Sequence, residues 1–306
     1  MKNVSKFLII NLSILLLVFI FCEFLTFLYT KNEYDNFQNI YNYETEGKYT
    51  YKVKLRSADY ELEHNSLPAL RYPVGLEYNK KSLVLFGCSF TFGSGLNDDN
   101  CLSAKLAKYL KRPVFNRGIA GAGIQHMYWQ LNSEKLYKDI SIEPEYIIYF
   151  FDYFQMHRLY MYTYTLYEDF FNLRYYDNKF GKNGELIERK PLLPKYINGL
   201  YLVRLIEQYK CNKFINDPEN VSEMLDFTYL IFKKCKEKAS LHYPNAKFVI
   251  YFFDTGYVDI KFESKLANEL KKDGFIVIRT SDLTKEDMFC RKYQVNENDI
   301  HPNEAF

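Results

Sequence analysis

Residues 83–95 read LVLFGCSFTFGSG. An unbroken apolar run stops at Gly87, Ser89 stands two places on, and Gly93 and Gly95 follow. Such a run, closed by glycine, is the signature of a strand covered on both faces. No polar alternation is needed where neither face meets water. In open parallel sheets, ligands and chemistry gather just beyond the carboxyl ends of the strands, which is where Ser89 falls. The stretch is therefore either a nucleophile at the end of a buried strand or an ordinary strand-to-loop turn, and the rest of the chain has to decide.

Downstream, strand and helix patterns alternate. Leu102, Leu106 and Leu110 mark one face of a helix, with Asp99 or Asn100 as its cap. PVFN (113–116) reads as a second strand and GIAGAG (118–123) as a loop. A helix follows with Ile124, Met127, Tyr128 and Leu131 on one face, then YIIYFF (146–151) as a third strand. KFVIYFF (247–253) and FIVIR (275–279) read as the fourth and fifth strands, with FESKLANELKK (262–272) a helix between them. This alternation predicts an α/β fold with a parallel sheet covered on both sides. An aromatic insert at 152–245 reads as largely helical, with Val221, Leu225 and Phe232 on one face. Within it, KNGELIERK (182–190) reads as a hairpin turning at Asn183-Gly184. Upstream, YTYKVKLRSADYELEH (49–64) alternates like an edge strand.

The amino end carries Lys2 and Lys6, then runs apolar from Phe7 to Tyr29. About 20 such residues suffice to cross a bilayer as a helix. The cleavage region of a signal peptide would hold small residues, which are absent here. The positive-inside rule puts the N-terminus in the cytoplasm and the rest outside, with Glu23 near the outer interface. The expected organisation is an anchor at 1–30, a juxtamembrane segment at 31–80 and a catalytic domain at 81–306.

Composition excludes several classes. A net charge of +2 over 306 residues gives no reason to expect a nucleic-acid partner. Six cysteines (Cys22, Cys88, Cys101, Cys211, Cys235, Cys290) include no CxxC pair. Cys211 and Cys235 could form a disulfide in an extracytoplasmic domain. No spacing of His, Cys and carboxylates suggests a metal, GIAGAG lacks the Lys-Ser/Thr of a phosphate loop, and no cofactor is expected.

A serine hydroxyl attacks only when a base takes its proton and a third group orients that base. Of five histidines, His301 stands out in NDIHPN (298–303), with Asp299 two residues before it. It follows the last strand, so a parallel sheet would bring it to the edge where Ser89 lies.

Taken together, FGCSFTFGSGL, FNRGIAGAGIQHM and DIHPN resemble the SGNH, or GDSL-like, hydrolase family in its membrane-anchored bacterial form, over roughly residues 80–306. The resemblance implies a three-layer sandwich on a five-stranded, flavodoxin-like sheet of order 2-1-3-4-5. It implies Ser89 as nucleophile, with Cys88 where the family's Asp stands, and Asp299 and His301 completing the triad. The commoner family spacing would use Asn298, which cannot stabilise an imidazolium as a carboxylate does. The backbone N–H groups of Ser89 and Gly121 would bind the oxyanion, with Gly118 the near alternative to Gly121. The family's third-block Asn is missing: YFFDYFQMHR puts Asp152 near its place, and Gln155 or His157 is left to donate. The implied activity is a serine esterase or acyltransferase on O-acyl, chiefly O-acetyl, groups of cell-envelope carbohydrate. A membrane acyl-donor protein is a possible partner, and the insert's aromatic residues could stack on sugar rings. The rival expectation is a non-catalytic envelope protein that keeps the fold to bind glycan or a protein.

Overall fold

The computed structural model describes residues 17–26, 28, 42–46, 50–54, 59–63, 71, 73–119, 122–158, 177–180, 186–190, 209, 213, 217–253, 260–284, 291–296, 299–303 and 305. At its centre, five strands lie in one all-parallel sheet. They are β4 (Ser82–Phe86), β5 (Val114–Asn116), β6 (Pro144–Phe151), β9 (Lys247–Phe252) and β10 (Ile276–Arg279), in the spatial order β5-β4-β6-β9-β10. Numbered within the sheet, that is 2-1-3-4-5, the expected order. A three-stranded antiparallel meander precedes it: β1 (Asn42–Glu46), β2 (Thr50–Lys54) and β3 (Asp59–Glu63). The alternating stretch thus supplies two strands of a separate sheet.

Both faces of β4 are buried, as its unbroken apolar run requires. Val84 and Phe86 enter the larger core, while Leu83 and Leu85 enter a smaller one on the opposite face. The larger core is closed by α4 (Ile124–Leu131), α5 (Glu134–Asp139), α7 (Pro218–His242) and α8 (Ile260–Lys272). The smaller core lies under α3 (Leu102–Leu110). The result is three layers: helices, sheet, helix. Leu85 is fully buried, and truncating such a residue to alanine typically costs ~2–5 kcal/mol.

Local chemistry accounts for the longest helix. Pro218 opens α7, where a missing N–H is harmless and its fixed φ is already helical. Pro244 stops it two residues past His242. Val221, Leu225 and Phe232 are all buried on the sheet side, as their spacing predicts. Within the insert, β7 (Asp177–Phe180) and β8 (Leu186–Lys190) pair antiparallel as a hairpin, while the Asn183-Gly184 turn lies outside the described residues.

Three expectations are corrected. On α3, Ser103 and Ala107 are the buried residues; Leu102 and Leu106 pack only partly, and Leu110 is exposed. Ala107 joins the smaller core, and the buried Ser103 hydroxyl accepts from Asn116 Nδ2 at 3.3 Å. The cap of α3 is Cys101, with no side-chain bond to the helix N-terminus, because Asp98–Asn100 wind into a separate 3-10 turn. Cys235 is a free, fully buried thiol, so it forms no disulfide with Cys211. Its place in the apolar core of α7 pushes the thiol pKa well up.

Residues 17–26 form a helix, α1, with exposed Leu17, Val18, Phe19, Ile20, Phe21, Phe24 and Leu25. Among the described residues no helix is long and apolar enough to cross a membrane. Much of the expected 7–29 span lies outside them.

Candidate active site

The chain leaves β4 at Gly87 and turns at once into α2 (Ser89–Phe92), a single helical turn that starts on Ser89 and closes at Gly93. Gly87 has φ +154, and a Cβ there would lie 2.1 Å from Thr91 Oγ1, so only glycine permits the turn. Ser89 is 8% exposed at the carboxyl edge of the sheet, the position its place in the sequence predicted.

The main-chain polar groups of this turn are answered one by one. Phe92 N–H donates to Cys88 O, and Gly93 and Ser94 N–H both donate to Ser89 O. Asn116, buried at the end of β5, donates from Nδ2 to Thr91 O at 2.8 Å. The same side chain accepts from Gly118 N–H at 3.0 Å. Arg71 donates to Phe92 O, to Gly93 O at 2.7 Å and to Leu96 O at 2.6 Å, and it pairs with the Asp98 carboxylate. Neither Asn116 nor Arg71 was singled out from sequence; a lone Asn or Arg carries no local signal of what it will bond.

The loop after β5 runs beside the turn. Ile119 N–H donates to Gly87 O, and Gly118 sits so close that a Cβ would lie 2.6 Å from Phe92 N. Gly118 thus serves close packing, and its N–H is taken by Asn116, which removes it as an oxyanion donor. Gly121 lies outside the described residues. Its neighbours are tied down: Ala122 N–H donates to Ile119 O, Arg158 donates to Ala122 O at 2.8 Å, and Gly123 N–H donates to His126 Nδ1 at 3.0 Å.

The third-strand turn is less settled. Asp152 caps α6 (Tyr153–His157), accepting from Phe154 N–H at 3.2 Å. Burial raises its carboxyl above the usual range, against the opposing pull of Arg158 and of the Phe154 N–H. Gln155 is 1% exposed and donates from Nε2 to Phe150 O at 3.0 Å, while its Oε1 has no hydrogen-bond partner. One amide proton of Gln155 is therefore tied to the backbone. Burial lowers the His157 imidazole, and its Nε2 is likewise unpartnered.

Asp299 and His301 lie on β12 (Asp299–Pro302), which pairs antiparallel with β11 (Gln294–Asn296) as a two-stranded ribbon. Asn303 closes the ribbon, donating from Nδ2 to Lys292 O and Gln294 O. The backbone of β12 lies against α2, so the strand carrying the sequence-predicted base meets the turn carrying Ser89. The side chains of Asp299 and His301, and all of Asn298, lie outside the described residues. Among the described residues no group of His, Cys and carboxylates could hold a metal ion.

Neither a protein-family profile nor a curated protein sequence matches the chain. Solved structures do. A G-D-S-L family lipolytic protein from Desulfitobacterium hafniense DCB-2 is 14% identical with a TM-score of 0.42, over 74% of this chain and 93% of that one. A lipase from the goat rumen metagenome is 13% identical with a TM-score of 0.43, over 74% and 91%. An acetyl xylan esterase from Butyrivibrio proteoclasticus is 11% identical with a TM-score of 0.35, over 65% and 55%. This chain is similar to them in outline, and its function has to be argued from its own residues.

Proposed function

We propose that this chain is an SGNH-type serine esterase or acyltransferase, held at the membrane by its N-terminal segment with the catalytic domain outside the cytoplasm. His301 takes the proton of Ser89, Ser89 attacks an ester carbonyl, and Asp299 orients His301. The backbone N–H groups of Ser89 and Gly121 hold the oxyanion, where each donor typically contributes a factor of ~100–1000 in rate. His301 returns the proton to the departing alcohol as the ester C–O bond breaks, and water or a sugar hydroxyl, deprotonated by His301, then takes the acyl group and frees Ser89. O-acetyl groups of envelope carbohydrate are the favoured substrate class.

The observation that supports this reading is the approach of the β12 backbone to α2, two segments about 200 residues apart in sequence. An ordinary turn serine needs no such neighbour. The apolar, exposed face of α1 supports an anchor. The second reading, a non-catalytic binding protein, is favoured by the third-strand turn, where the Gln155 amide is engaged with Phe150 O.

Turnover of p-nitrophenyl acetate by the full chain in detergent, absent in Ser89→Ala, is expected. Folded protein that turns over no acyl ester would replace the enzyme with the binding protein. A reporter fused after Phe306 should be active only in an extracytoplasmic compartment; activity of a cytoplasmic reporter alone would reverse the orientation.

A further inference from the structure

We propose that Arg71, on the segment before the first sheet strand, is a positioning residue that holds the nucleophile turn in its reactive shape. The proposal rests on the reading of Ser89 as nucleophile. The guanidinium is 1% exposed. Four of the roughly five N–H donors a guanidinium offers are engaged: Nε on Phe92 O, Nη1 on Asp98, and Nη2 on both Gly93 O and Leu96 O. Its carbon also lies 5.0 Å from the centroid of the Phe92 ring.

A one-turn helix leaves its last carbonyls without internal partners, and buried carbonyls must find donors or the turn opens. Arg71 supplies the donor for Phe92 O and joins the Leu96 N–H on Gly93 O. The link to Ser89 is short and entirely main-chain. Gly93 accepts from Arg71 at its oxygen and donates from its nitrogen to Ser89 O, and Ser94 N–H donates to the same oxygen. Gly93 N–H shares its peptide with Phe92 O, and Ser94 N–H shares its own with Gly93 O, so holding these two carbonyls fixes the Ser89 carbonyl that both N–H groups meet, and with it the helical turn whose first residue presents both the hydroxyl and the oxyanion N–H. Displacing reacting groups by about 1 Å typically costs ~100-fold in rate. Lysine cannot replace this fork: its single ammonium cannot span carbonyls that point from Phe92, Gly93 and Leu96 in different directions.

The test uses the full chain in detergent, with Arg71→Met and Arg71→Lys beside wild type. The readouts are fluorophosphonate labelling at Ser89, kcat and KM on p-nitrophenyl acetate, thermal melting, and amide hydrogen exchange. Arg71→Met should lower kcat and labelling about 100-fold, with KM little changed. Arg71→Lys, which keeps the charge, should melt near wild type yet recover only part of the rate. Exchange should rise at the amides of residues 92–96 alone in both variants. A folded Arg71→Lys with wild-type kcat and wild-type exchange at residues 92–96 would overturn the proposal, even if Arg71→Met fails to fold. Wild-type protein that never labels, with exchange still raised locally in Arg71→Lys, would instead overturn the esterase reading and leave Arg71 as the clamp of this turn.

Discussion

Two turns leave neighbouring strands at the same edge of the sheet, and they differ in what becomes of their buried polar groups. After β4, each carbonyl from Cys88 to Gly93 for which a partner is described is met by a named donor: Phe92 N–H, Gly93 and Ser94 N–H, Asn116, or Arg71. After β6, buried polar capacity is left over: Gln155 Oε1 and His157 Nε2 have no partners, and Asp152 sits with a raised carboxyl. Each satisfied carbonyl favours this geometry, because losing its donor strands a buried group at ~1–3 kcal/mol. The difference is that the first turn is held by donors from distant segments, whereas the second retains buried side-chain polar atoms with no partner.

The comparison can be broken at its strongest point first. If the first turn serves catalysis, Ser89→Ala and His301→Ala should each abolish turnover by about 10⁴–10⁶-fold, and the double variant should be scarcely worse than either. Additive losses in kinetics on p-nitrophenyl acetate would show that the two do not act as a unit. Asp299→Asn should keep the fold and lose rate by up to about 10⁴-fold, since it favours the wrong imidazole tautomer. If Asn298→Ala is crippling and Asp299→Ala harmless, the triad assignment is wrong.

The second turn is sharpened by Gln155→Ala. If the remaining amide proton reaches the oxyanion, kcat should fall about 100-fold with little change in KM. If the amide serves only Phe150 O, kcat should hold and only the urea midpoint should drop. Asn116→Ala makes the matching test on the first turn. It strands Thr91 O and the Gly118 N–H, so equilibrium unfolding should show ~1–3 kcal/mol lost for each.

The smallest effect is expected at Asp152. Its raised carboxyl means that the ionised form is disfavoured in the folded state. The wild type therefore loses stability as pH rises from the unfolded value near ~3.9 through the folded one. Asparagine never ionises and can still cap α6. Asp152→Asn should melt higher at pH 7, with the gain vanishing below pH ~3.9. A melting difference that does not depend on pH would mean the carboxyl is not disfavoured as described.

What could be read from the residues followed the range of the signal. Strand β4 announced itself because five buried residues in a row need no partner to be recognised, and the inward face of α7 because its apolar spacing is local. The face of α3 was read in part: Leu102 and Leu106 pack against the smaller core while Leu110 is exposed. Its buried positions are Ser103, which bonds Asn116, and Ala107. Cys235 offered no local hint that it would stay a lone thiol inside the core.

By itself, then, the sequence determined the order of the five sheet strands, the two-sided burial of β4, and Ser89 at a strand end. These are set by periodicity, which is a property of neighbouring residues. Only the tertiary structure decided which donors hold the turn around Ser89 and which segment meets it. Arg71 and Phe92 are 21 residues apart, Asn116 and Thr91 are 25, and β12 reaches α2 from the far end of the chain. Buried hydrogen bonds are chosen by what the packed chain brings within about 3 Å, and no local pattern encodes that distance.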